Sequence, residues 1–62
     1  MLHLRVIAPT ELRDEVVDAL ADNPGVAHLV VHPDAARDPV GDEITADIAR
    51  ESANEVVNAL KA

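Results

Sequence analysis

The chain has 62 residues, a net charge of −7, and neither cysteine nor any aromatic residue. That excludes disulfides, thiolate metal sites and redox motifs, and leaves Val, Leu, Ile and Ala to build a core that is small for its length. A chain this acidic repels phosphate backbones and anionic lipid headgroups, and it offers no rings for stacking bases, so nucleic acid is not an expected partner.

Leu2 to Ala8 alternates Leu2, Leu4, Val6 and Ala8 against His3, Arg5 and Ile7, the period-two pattern of a strand with one buried face. Pro9 ends it. Thr10 is the expected N-cap of a first helix from Glu11 to about Asp22, with Leu12, Val16, Val17, Ala19 and Leu20 as its apolar stripe. Asn23-Pro24-Gly25 stops that helix and turns the chain.

Val26 to His32 reads as the second strand, with Leu29 and Val31 toward the helices and His28, Val30 and His32 on the open side. Pro33 to Gly41 then reads as a loop, punctuated by Pro33, Pro39 and Gly41. Asp42 to Ala49 is the central strand, with Ile44, Ala46 and Ile48 on one side and Glu43, Thr45 and Asp47 on the other. Ser52-Ala53-Asn54-Glu55 matches a capping box for a last helix whose stripe is Ala53, Val56, Val57 and Leu60.

Both helices carry a similar phrase, Asp14-Glu15-Val16-Val17-Asp18-Ala19-Leu20 and Asn54-Glu55-Val56-Val57-Asn58-Ala59-Leu60. Two strand–helix units with matching helices predict an α+β domain over residues 1–62: a ferredoxin-like split βαβ sandwich lacking its fourth strand. The order is βαββα, with a three-stranded antiparallel sheet, strand three between strands one and two, and both helices on one face.

Little in the sequence points to catalysis. Ser52 is the only serine and suits a helix cap, Gly25 and Gly41 cannot form a phosphate-cradling loop, and Lys61 is the only lysine. No catalytic residue and no cofactor is therefore expected. His28 and His32 have the spacing that chelates zinc on a helix, but on a strand they stand about 13 Å apart. His3 lies two strand spacings of about 4.8 Å away, so no two histidines meet on one metal within a single copy, and only metal across a dimer stays open.

The expected open face instead pairs charges across strands. Asp47 falls near His3 or Arg5 on one side and His28 on the other, and Glu43 falls near His32. With Ile7 and Val30 among these charges, His3, Arg5, Ile7, His28, Val30, His32, Glu43 and Asp47 form the expected interaction surface, and a homodimer through that face or through a sheet edge is the expected partner.

The segments LHLRVIAPTE and NPGVAHLVVHPDAARDPVGDEITADIARESANEVV, most specifically Gly25–His32 and Ala36–Glu51, resemble the amino-terminal part of a bacterial membrane-protein family. It is the family listed as domain of unknown function 389, in its actinobacterial branch. The resemblance implies a cytoplasmic head at the inner membrane, ahead of several transmembrane helices in the same full-length chain, with a fourth strand after the last helix. The stretch is then expected to be excised from a larger protein and not itself inserted in the membrane. No activity carries over from the family. Two other ferredoxin-like groups fit less well: heavy-metal-binding domains need Cys-x-x-Cys where this chain has Ala8-Pro9-Thr10, and amino-acid-sensing domains use a glycine at that turn. Two functions are expected from this reading, a non-enzymatic assembly or regulatory module and, as the alternative, a small-ligand or ion sensor.

Overall fold

The computed structural model describes residues 1–61. Strand β1 (Leu2–Ala8) and strand β2 (Val26–Arg37) flank strand β3 (Val40–Ile48), all antiparallel, in the order β1-β3-β2. Helices α1 (Arg13–Ala21) and α2 (Ala53–Lys61) cover one face. This is the α+β arrangement expected, with the middle of the sheet made by the last strand in sequence. Among the described residues no helix is long and apolar enough to cross a membrane.

Register explains the layering. Leu2 pairs with Ile48, Leu4 with Ala46 and Val6 with Ile44, so the apolar sides of β1 and β3 coincide. Ile44, Leu20 and Val56, one from the sheet and one from each helix, are at most 2% exposed and form the centre of the core with Ala8 and Ile48. Leu4, Val6, Val16, Val17, Val26, Leu29, Val31 and Leu60 pack around them. Burying one such aliphatic side chain contributes about 1.5–3 kcal/mol, and with no ring to bury the count of these contacts decides stability.

Both helices enter through a 3-10 turn, which corrects the expected start of the first. Thr10–Leu12 is such a turn, with the Leu12 N–H donating to the Pro9 carbonyl at 2.9 Å, so Thr10 lies inside it instead of capping a helix at Glu11. Leu12 consequently leaves the apolar stripe and is 45% exposed. Arg50–Ser52 repeats the device before α2, the Ser52 N–H donating to the Ala49 carbonyl at 2.9 Å. The Ser52 side chain lies against Gly25, where a Cβ would overlap Ser52 Oγ. The turn at Gly25 is also held by its N–H on Asn23 Oδ1 at 2.8 Å and by its carbonyl, which accepts from the Ala49 N–H at 2.8 Å.

The larger correction concerns residues 33–41. They are not a loop: β2 continues to Arg37, and the two-residue turn Asp38-Pro39, with a cis peptide bond, leads into β3 at Val40. Two irregularities in β2, between Ala27 and Val30 and between His32 and Ala36, absorb extra residues, the second of them within the stretch that reads as a loop. Each contains a residue in the left-handed region, His28 at φ 54° and Asp34 at φ 55°. Pro33 is tolerated because it falls in the second irregularity on an edge strand, where its missing N–H removes no required ladder bond. At the start of β3 a Cβ on Gly41 would stand 2.5 Å from the Ala8 carbonyl oxygen, so only glycine lets the hairpin close onto the end of β1. The central strand thus runs from Val40 to Ile48 instead of Asp42 to Ala49.

Candidate functional site: a carboxylate-bridged imidazole face

The sheet face away from the helices is built from three cross-strand rungs. His3, Asp47 and Ala27 form one, Arg5, Thr45 and Val30 the next, and Ile7, Glu43 and His32 the third. All three histidines of the chain and Arg5 lie here.

Asp47 is the hub. Its Oδ1 lies 3.1 Å from His3 Nδ1, and its Oδ2 lies 3.0 Å from His28 Nδ1, so a single carboxylate links the outer two strands across the middle one. Register alone would place Ala27 beside Asp47. The left-handed backbone at His28 lets the next residue reach the same carboxylate. The hydrogen bond with His3 holds the Asp47 carboxyl below its ordinary value of 3.8; partial burial opposes this, and the bond with His28 adds to the lowering.

Glu43 is a looser second hub, with Oε1 3.3 Å from His32 Nδ1 and Oε2 3.9 Å from Arg5 Nη1. Arg5 is thus diagonal to its carboxylate, and His3 takes the position beside Asp47. Val30 is 43% exposed between the hubs, and Ile7 is half-buried. The eight residues expected on this face, His3, Arg5, Ile7, His28, Val30, His32, Glu43 and Asp47, are all placed there, with Thr45 at their centre.

The histidines that strand spacing kept apart do meet, but on a carboxylate. Among the described residues no group of three His, Asp or Glu side chains is placed to hold a metal ion by itself. No pocket is found on the described residues either.

Sequence reasoning missed a second polar cluster on the buried side. Asp42 is 1% exposed, accepts from Arg13 Nη1 at 3.3 Å on Oδ2, and accepts from the Asp34 backbone N–H at 2.8 Å on Oδ1. The signal was present: Asp42 has the parity of Ile44, Ala46 and Ile48, which places it under the helices. The cluster ties α1 and the second irregularity of β2 to the sheet, an architectural role.

Comparison of the chain with protein-family models, with curated proteins and with solved structures returns no match.

Proposed function

We propose that this chain is a non-enzymatic assembly module that associates with a second copy of itself through the outer edge of β1. The observation that carries the reading is the contrast between the two edges of the sheet. β1 pairs with β3 over seven consecutive residues without a break, and its other side has no strand partner among the described residues. An unpaired row of backbone groups in so regular a strand is a template for another strand. The β2 edge is interrupted twice and carries Pro33. Leu2 at 40% exposure and Val57 at 45% leave apolar surface that pairing can cover. The sequence resemblance supports the module as a cytoplasmic head of a bacterial membrane protein, where the fourth strand that the resemblance implies would compete with a second copy for the β1 edge, so the edge reading is one of residues 1–62.

Sedimentation of the chain at tens of micromolar, read by interference because no aromatic residue absorbs, should give twice the monomer mass. Val6→Pro should lower that mass by removing a donor and distorting the strand. A monomer across the whole range overturns the edge reading. A second reading, an ion sensor, is favoured by the clustering of every histidine on one face. A ligand at 100 times its dissociation constant adds about 2.7 kcal/mol, easily seen as a heat shift in a small domain.

A further inference from the structure

We infer that a second copy docks on β1 in one antiparallel register, with Arg5 facing Arg5 of the other copy on the two-fold axis. The two three-stranded sheets then join into one of six strands. This deepens the edge reading and rests on it.

Backbone phase is the first support. In an antiparallel pair, residues alternate between turning their N–H and C=O toward the neighbour and turning them away. The Ala49 N–H donates to the Gly25 carbonyl, and the next pair along is Val26 with Ile48. Ile48 therefore turns its N–H and C=O away from β2 and toward β1, where it faces Leu2. Pairing of β1 with β3 is unbroken. Leu2, Leu4, Val6 and Ala8 thus direct their backbone groups at β3, while His3, Arg5 and Ile7 direct theirs at the free edge. The Ala8 carbonyl oxygen agrees, since it lies on the β3 side, against Gly41.

Phase restricts the register. His3, Arg5 and Ile7 of one copy exchange bonds only with those same residues of the other, because the even-numbered residues have no groups to offer. Side chains fit that restriction: Leu2, Leu4, Val6 and Ala8 stay opposite one another on the helix side. The axis is normal to the sheet, so all helices lie on one face and both imidazole faces on the other.

Three alignments remain, with the axis at Leu4, Arg5 or Val6. At Leu4, His3 faces Arg5, and Ile7 is opposite Met1, outside β1. At Val6, Arg5 faces Ile7, and His3 has no strand residue opposite. Each leaves two bonded pairs within β1. With Arg5 on the axis, His3 faces Ile7 twice and Arg5 faces Arg5, three bonded pairs over the whole of Leu2–Ala8. The cost is a like-charge pair. The arginine side chains are 67% exposed, and each is drawn toward its own Glu43, 3.9 Å away on the β3 side. Repulsion between two solvated, screened charges is a smaller effect than the backbone bonds of an additional pair.

The chain contains no cysteine, so single cysteines on the open face read the register without background. Opposed residues of a bonded pair stand about 5.5 Å apart at Cα, within reach of a disulfide. Arg5→Cys, under mild oxidation at tens of micromolar, should form a covalent dimer by itself. His3→Cys and Ile7→Cys should crosslink when mixed and far less when alone, with folding checked by circular dichroism. Arg5→Thr removes the facing charges and should tighten dimerisation about two- to five-fold in sedimentation. Crosslinking of His3→Cys with Arg5→Cys puts the axis at Leu4 and overturns the inference. Crosslinking of Arg5→Cys with Ile7→Cys puts it at Val6 and does the same. Self-crosslinking at all three positions means parallel strands and also overturns it, as does an Arg5→Thr dimer weaker than that of the unsubstituted chain. A dimer of the unsubstituted chain without the Arg5→Cys crosslink sinks the register and leaves the edge reading standing. A monomer sinks the edge reading and this inference with it.

Discussion

Arg13 Nη1 reaches into the core side of the sheet to lie 3.3 Å from Oδ2 of Asp42, a carboxylate 1% exposed. Asp42→Ala removes that partner and leaves the Asp34 N–H without its acceptor. Breaking a fully buried pair costs about 3–5 kcal/mol. Arg13 is one-third exposed and rehydrates, so about 2–3 kcal/mol is expected. Asp42→Asn keeps an oxygen for Asp34 and should lose less. Urea titration followed by circular dichroism reads both, and a loss under about 0.5 kcal/mol for Asp42→Ala would show that the cluster contributes little.

Gly25 and Ser52 form a steric pair, so their substitutions should not add. Gly25→Ala drives a Cβ into Ser52 and should cost about 1–3 kcal/mol by overpacking. Ser52→Gly in the same chain should recover most of that loss, because it removes the obstructing atoms at a site where glycine costs only a few tenths. Additive losses in the double-mutant cycle would mean that the contact at Gly25 is relieved elsewhere.

Asp34 sits at φ 55° and contributes its backbone N–H, not its side chain, to the bond with Asp42. Asp34→Gly keeps that N–H and removes the Cβ from a left-handed position. A gain of up to about 1 kcal/mol in chemical denaturation is expected, since aspartate already tolerates this region better than most residues. A clear loss of stability would assign the side chain a role beyond the turn.

Asp47 gives the fold an acid limb. Its folded-state pKa is depressed by the hydrogen bond with His3 and then that with His28, so the native state favours the ionised carboxylate. The unfolded chain therefore binds the proton first as pH falls. The stabilisation is complete above the unfolded value of about 3.9 and is lost as pH drops through the lower folded value. Asp47→Asn should flatten that limb between pH 5 and the acid end in chelator-treated protein. An unchanged acid limb would show that the carboxylate is not coupled to the two imidazoles.

What could be read before folding follows from how each element announces itself. β1 and β3 have strict alternation, so their faces, their partners and the approach of His3 to Asp47 followed from parity and antiparallel register; His28 was expected near Asp47 too, but the left-handed backbone that carries it past Ala27 was not legible. β2 hid its length because a proline, a left-handed aspartate and another proline suggest loop; no glycine marks either irregularity. The 3-10 entries were hidden for a related reason: Thr10 and Ser52 are good cap residues, and local preference does not reveal that Pro9 and Ala49 supply the accepting carbonyls. Asp42 was assigned to neither face: an acidic residue suggests surface, yet its parity with Ile44 places it inside.

The inequality of the two sheet edges has a further consequence for stoichiometry. A sheet that could recruit a neighbour on both sides would have a valence of two and would grow into a ribbon without limit. Here β2 is twice interrupted and carries Pro33, so the pairing proposed above has Leu2–Ala8 as its single row per copy. Under that proposal a unit is monovalent in strand addition: two rows that meet terminate each other, and strand pairing leaves no growing end.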